Sequence, residues 1–443
     1  MRQGRGNRPF GPISALQPLI VLALAAAHPA AAAPAATSED QAIATIRALP
    51  AYKRAEQTLA AQHDRFVGEI ITLTEIPSPP FGEAKRAAAY REMLAQHGLT
   101  DIDTDAEGNV MGLRRGTSSA GGKVIVVSAH LDTVFPAGTD VKVRREGTRL
   151  FAPGIGDDSR GLATMLAWIR ALDAAKIRTR HDILFVGTVG EEGQGDLRGV
   201  RHFFTQGKYK DRVAAFYSVD GIDPAQLTHA AVGSKRYRVT FKGPGGHSFS
   251  AFGIVNPMAA AARAITDLYE IVPPTQPKTT YAAAVIGGGT SVNSIPDSVF
   301  VEFDMRSESA AELDGLERRF LTVIDRAVAA ENGARSTREG SITAEKKKIG
   351  DRPAGVTPRD AAVVAYTAAA ARAQGFAPEY EASSTDANVP ISLGIPAITI
   401  GSGGSGERAH STDEFIDVET KESLRGLSVG LLSVLAVAQI ERR

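Results

Sequence analysis

The sequence predicts an α/β fold: a mostly parallel sheet flanked by helices, with a smaller α+β unit inserted into it. Two observations predict it. Short β-branched, apolar runs such as Val124 to Val127, Asp182 to Gly187 and Ala214 to Val219 alternate with helical segments. Strands buried on both faces, and the helices that cross between them, read this way. From about Thr228 the texture changes, and Tyr237 to Lys242 alternates apolar with polar residues, as a half-exposed antiparallel strand does. After Pro353 the helix–strand alternation resumes, so the second texture is an insertion.

Taken in order, Thr37 to about Gln62 is helical in character with Pro50 interrupting it, and Asp64 to Leu73 continues as an amphipathic helix. Ile76 to Gly82, with three prolines and a glycine, is a hard break. Glu83 to His97 is a helix stopped by Gly98. Val110 to Arg114 and Lys123 to Val127 are strands, and Leu162 to Ala174 is a helix. In the insertion, helix Asn256 to Ile271, strands near Tyr281 to Ile286 and Ser298 to Arg306, helix Ala310 to Ala330 and a strand around Ile342 to Ile349 follow the first strand. That is a β-α-β-β-α-β, ferredoxin-like order. Helix Ala361 to Gln374, strand Ala397 to Gly401 and a long helix from about Thr420 complete the chain.

Composition excludes several classes. With 43% hydrophobic and 23% charged residues the chain is not of the disordered type. Its 50 basic and 50 acidic residues give no global bias toward nucleic acid, and the short run Lys346 to Lys348 reads as a solvated strand or loop. There is no cysteine, so disulfides, thiolate ligands and thiol nucleophiles are excluded, and a metal site must use His, Asp and Glu. Arg2, Arg5 and Arg8, the apolar Leu19 to Ala27 and the small residues Ala30 to Ala36 read as a cleavable signal peptide over residues 1–36, too short in its apolar part to be a retained membrane anchor. Cleavage removes three arginines and no acid, leaving a net charge of about −3 on a secreted or periplasmic protein with no membrane segment.

The chemistry-bearing residues sit at the ends of these elements. His130 and Asp132 follow the Val124 strand; two residues apart on extended chain, they point the same way from the edge where open α/β sheets bind ligands. Asp157 follows Gly154-Ile155-Gly156, just before a helix that it could cap. Glu191 and Glu192 end the Asp182 strand, Asp220 ends the Ala214 strand, and His410 sits in Arg408 to Glu414. Each alone is explained by turn chemistry, but so many at successive sheet ends are not. The run Gly401 to Gly406 satisfies G-x-G-x-x-G, yet it leads into Glu407-Arg408-Ala409-His410 rather than a helix. Shaping the substrate pocket beside His410 is therefore expected of these glycines, not dinucleotide binding.

Together these motifs resemble the dinuclear zinc metallopeptidases and deacylases that include peptidase T, glutamate carboxypeptidase, acetylornithine deacetylase, succinyl-diaminopimelate desuccinylase, aminoacylase and carnosinase. The motifs are Ser128-Ala-His130-Leu-Asp132, Gly154-Ile-Gly-Asp157-Asp158, Gly190-Glu191-Glu192-Gly193, Asp220, Gly245-Gly-His247-Ser248 and Ala409-His410-Ser411. The resemblance implies a zinc-exopeptidase sheet with an inserted lid and dimerisation domain: catalytic domain over 37–228 and 353–443, lid over 229–352. It implies two Zn²⁺, with Mn²⁺ or Co²⁺ as substitutes. His130, Asp157 and Asp220 would hold one, and Asp157, Glu192 and His410 the other. Three carboxylates and a bridging hydroxide would balance the charge of two zincs. Glu191 would be the general base, Asp132 would orient His130 from behind, and the Asp157–Asp158 peptide would be cis. His247 would stabilise the oxyanion, reaching across a homodimer formed through the lid, while Asn293 and Arg306 would bind substrate, Arg306 through a carboxylate.

Two departures bear on the subfamily. Ser159-Arg160 stand where many relatives carry lysine, and Asp220 is aspartate where several carry glutamate, which favours the aminopeptidase and dipeptidase side. The expected function is hydrolysis of short peptides. N-acyl-amino-acid deacylation and metal-dependent binding without catalysis are the alternatives.

Overall fold

The computed structural model describes residues 36–118 and 122–441. The expected signal peptide lies outside the described residues, apart from Ala36. Among the described residues, no helix is long and apolar enough to cross a membrane.

Among the described residues, the large sheet has nine strands. Its centre is parallel: Val124–His130 lies between Asp182–Thr188 and Val213–Val219, and Ala397–Ile400 continues beyond the latter. Every residue of Val124–His130 and of Asp182–Thr188 is buried, as strands covered by helices on both faces require. Antiparallel pairs appear toward both flanks, although Glu379–Ser383 joins Gln226–Ala231 in parallel. Val110–Arg114 pairs so with Asp182–Thr188, and Gln226–Ala231 with Ala397–Ile400. Gln226–Ala231 therefore belongs to this sheet, although the change of texture began near Thr228. The strand Glu379–Ser383 and the helix Arg198–Gln206 were not anticipated from sequence. Pro50 does not kink a helix but starts a new one, since its missing N–H costs nothing at the first helical position.

The inserted unit is a four-stranded antiparallel sheet, ordered Thr279–Gly288, Ser298–Ser307, Gly233–Lys242, Thr343–Arg352. Helices Pro257–Leu268 and Ala310–Ala334 complete the expected β-α-β-β-α-β order. It has its own apolar core, in which Val299, Val301, Phe303 and Met305 from alternate positions pack with Leu316 and Phe320. The intervening residues Glu302, Asp304 and Arg306 therefore fall on the opposite face, away from the helices.

Glu317 ties the long helix to this sheet. Its carboxylate accepts from Lys235 Nζ at 2.5 Å, Tyr237 Oη at 2.5 Å and Lys348 Nζ at 2.9 Å. Burial alone would raise the carboxyl, but these donors outweigh it and hold it at about 2. A depressed carboxylate stabilises the fold above its unfolded pKa and loses that contribution as pH falls toward the folded value. Glu317→Gln is expected to cost about 1 kcal/mol at neutral pH after solvent screening, with the difference from wild type shrinking as pH drops below about 4. Urea unfolding of both proteins across pH checks this.

Candidate metal centre

His130 is the last residue of its strand and is buried. Its Nδ1 lies 3.0 Å from the main-chain oxygen of Asp132, and its Nε2 lies 2.7 Å from Asp157 Oδ1. The carbonyl accepts from Nδ1, so Nε2 is the nitrogen turned toward Asp157. His410, whose backbone is left-handed at φ 65, places Nε2 at 3.1 Å from Asp157 Oδ2 and 2.8 Å from Glu192 Oε1. Asp157 thus stands between two imidazoles, one on each carboxylate oxygen. Ligand atoms of His130, Asp157 and Asp220 come within 4.8 Å of one another, as do those of Asp157, Glu192 and His410. A third such group is His130, Glu191 and Glu192.

Burial pushes Asp220 up to about 7 and Glu191 well above the usual carboxylate range. Burial would also raise Asp157, but hydrogen bonds from His130 and His410 leave it below its usual value. Hydrogen bonds that His410 donates to Asp157 and Glu192 lift it to about 10. So many carboxylates cannot all ionise here without cations among them. An imidazole and carboxylate donor set without thiolates suits zinc, manganese or cobalt, so the residues fit a metal centre.

Two buried carboxylates shape the loops that carry these groups. Asp132 Oδ1 accepts from the Glu191 N–H at 3.0 Å and Oδ2 from the Glu192 N–H at 2.9 Å. The Asp132 carboxylate is 3.7 Å from His130 Nδ1, so the expectation that it orients His130 is corrected: its main-chain oxygen does that, and its carboxylate holds the two glutamates. Glu414 accepts from the N–H groups of Gly154 at 2.7 Å, Gly156 at 2.7 Å and Asp157 at 3.0 Å. Glu414→Gln would turn an amide N–H₂ toward one of these donors. Metal affinity is expected to fall about 10–100-fold, measured by competition with a chelator.

Asp157 is not the helix cap that its position allows. Asp158 is: its Oδ1 accepts from Gly161 N at 3.1 Å, and its Oδ2 from His130 N at 2.9 Å. The Asp157–Asp158 peptide is cis. Gly161 has no room for a side chain, since a Cβ would lie 2.2 Å from the Val219 carbonyl oxygen. Arg160 is wholly buried and reaches Ser423 Oγ at 3.1 Å, tying this turn to the C-terminal helix. The Gly401 to Gly406 run does not line the pocket as expected. A Cβ on Gly401 would meet the Asp223 carbonyl oxygen at 2.3 Å and one on Gly403 the Gly426 backbone at 2.9 Å, so these glycines permit close backbone packing.

The cleft over these groups encloses about 570 Å³ and is lined by Asp157, Glu191, Glu192, Asp220 and His410, with Arg236, Arg306, Arg352 and the Ser383–Thr385 segment around them. The arginines come from the open face of the inserted sheet. Its register sets Arg306 and Arg352 either side of Ser234, with Asp304 opposite Arg236. Asp304 bridges Arg236 Nε at 3.2 Å and Arg306 Nε at 2.7 Å. His247 and Asn293 do not line this cleft. They lie together on an exposed part of the inserted unit, where Ser248 N donates to Asn293 O at 2.9 Å. Sequence reading missed Arg236, Arg352 and the clamp made by Glu414.

An α/β sheet that gathers histidines and carboxylates at the carboxyl edge of its parallel strands is the build of a metal-dependent hydrolase. The chain belongs to peptidase family M20/M25/M40, whose model matches residues 126–431. A curated relative, the succinyl-diaminopimelate desuccinylase of Burkholderia mallei strain SAVP1, is 25% identical over 362 residues, covering 76% of this chain and 87% of its own. Among solved structures, the aminopeptidase PepT of Bacillus cereus ATCC 10987 matches with a TM-score of 0.68 at 23% identity, covering 84% of this chain and 99% of its own. A dinuclear metal binding peptidase of the same family from Bacillus subtilis matches with a TM-score of 0.62 at 18% identity, over 85% of this chain and 99% of its own. The protein is thus a hydrolase of a metal-dependent family.

Proposed function

We propose that the protein is a zinc exopeptidase that hydrolyses short peptides. The observation that carries this reading is Asp157, common to the groups with His130 and Asp220 and with Glu192 and His410, beside the carboxylate of Glu191. His130, Asp157 and Asp220 would hold one ion, and Asp157, Glu192 and His410 the other. When bound, the pair would polarise the scissile carbonyl and make water nucleophilic near neutral pH. Glu191 takes the proton of the attacking water and passes it to the leaving amine. Arg306, with its Nε held by Asp304, offers its remaining N–H groups to the substrate carboxylate. A cleft of about 570 Å³ suits a small substrate.

Likeness to an aminopeptidase supports the peptide reading, and likeness to a desuccinylase supports the second reading, an N-acyl-amino-acid deacylase. Glu191 speaks against a binding protein without catalysis, which needs no base. The basic and apolar leader supports export to the periplasm or beyond. The separate core of residues in 229–352 supports a lid domain. The exposed Phe249 and Phe252 near His247 support pairing of two copies through it, bringing His247 of one copy to the other's cleft.

Hydrolysis of a panel of dipeptides, tripeptides and N-acyl amino acids by zinc-loaded protein tests the reading. Peptide cleavage is expected. Cleavage of acylated amino acids alone would move the protein to the deacylases, and turnover of neither class would contradict hydrolysis of these substrates.

A further inference from the structure

We infer that Arg352 is the positioning residue that keeps Glu191 a base and prevents it from becoming a metal ligand. The inference rests on the hydrolytic reading above. Glu191 and Glu192 are adjacent, and both offer an oxygen to a group with His130. Something must assign them different work. Glu192 is engaged by His410, with Nε2 at 2.8 Å from its Oε1. Glu191 is engaged by Arg352, whose Nη1 donates to Oε1 at 3.1 Å and whose Nη2 donates to the main-chain oxygen of the same residue. One planar guanidinium therefore grips Glu191 at both its carboxylate and its backbone, a two-point hold that a point charge cannot make. Arg352 is itself fixed, with Nη1 at 3.2 Å from Ser384 Oγ, and its side chain is only 5% exposed. Among the described residues, Glu191 Oε2 has no hydrogen-bond partner, which leaves that oxygen free for water.

Arg352 also ends the last strand of the inserted sheet, Thr343–Arg352. The loop after Glu191 is fastened to the same unit. Asp196 accepts from the Asp351 N–H at 3.2 and 3.0 Å, Arg201 donates to the Asp351 oxygen, and Arg236 Nη1 donates to the Gly193 oxygen at 3.1 Å. The seating of the inserted unit thus sets where Glu191 stands. Without Arg352, the Glu191 side chain is free to turn toward His130 and Glu192.

A double-mutant cycle tests this, with kcat, KM and metal content measured on zinc-loaded wild type, Arg352→Gln, Glu191→Gln and the double variant. Arg352→Gln is expected to lower kcat about 30-fold or more and to change KM less than about threefold, with the metal content unchanged. In the Glu191→Gln background the same change is expected to alter kcat less than about threefold, because the residue it positions is already gone. Arg352→Lys, which keeps the charge but not the fork, is expected to fall between wild type and Arg352→Gln, and it carries the test should Arg352→Gln fail to fold. A raised KM at constant kcat would make Arg352 a substrate contact and overturn the inference, as would losses that simply multiply. Unchanged hydrolysis in Glu191→Gln alone would instead overturn the base assignment on which the inference rests, and the inference with it.

Discussion

Glu191→Gln is expected to lower kcat by about 10²–10⁴-fold while leaving metal content and KM nearly unchanged. The substitution is almost isosteric, so the hydrogen bond from Arg352 to Oε1 can persist, as can the Glu191 N–H bond to Asp132. What it removes is the acceptor for the water's proton. Burial raises the Glu191 carboxyl well above its ordinary value, the direction that strengthens a carboxylate as a base. Steady-state kinetics with metal analysis on the same samples checks the expectation. A loss of metal in parallel with activity would mean that Glu191 is a ligand.

Asp157→Ala is expected to remove both ions, because Asp157 belongs to both of the proposed ligand sets, with His130 and Asp220 and with Glu192 and His410. His410→Ala should instead leave the ion held by His130, Asp157 and Asp220. Elemental analysis after dialysis against limiting zinc would distinguish the two variants. In wild type, stripping the metal should abolish turnover and lower the melting temperature. Ligand at about 1,000 times its Kd stabilises the folded state by about 4 kcal/mol. Readdition of zinc, manganese or cobalt should restore both. The lining carboxylates explain the size of the effect, since Asp220 and Glu191 are forced toward neutrality when no cation is present.

The parts of the fold that were legible in the sequence are those written locally. The buried run before His130 and the alternation in Tyr237 to Lys242 each announce their own environment. His130, Asp157, Glu192, Asp220 and His410 could be singled out because they stand in motifs beside readable elements, in an order resembling a known family. The antiparallel pairs toward the flanks of the large sheet were not, because pairing direction depends on which strands meet. The same holds for the residues that position the site. Arg352 lies 161 residues from Glu191 in the chain, and Glu414 lies 260 residues from Gly154. A carboxylate that satisfies distant backbone N–H groups has no sequence signature. Asp132 shows the limit from the other side: its place beside His130 was read correctly, but the partners of its carboxylate, Glu191 and Glu192, emerge only when two strands lie side by side.

The central claim is a pair of ions that share Asp157, and anomalous diffraction from zinc-soaked crystals at the zinc edge tests it most directly. Two peaks about 3.5–4 Å apart are expected, one bounded by His130, Asp157 and Asp220 and the other by Asp157, Glu192 and His410. A single peak, or one lying among His130, Glu191 and Glu192, would contradict the account.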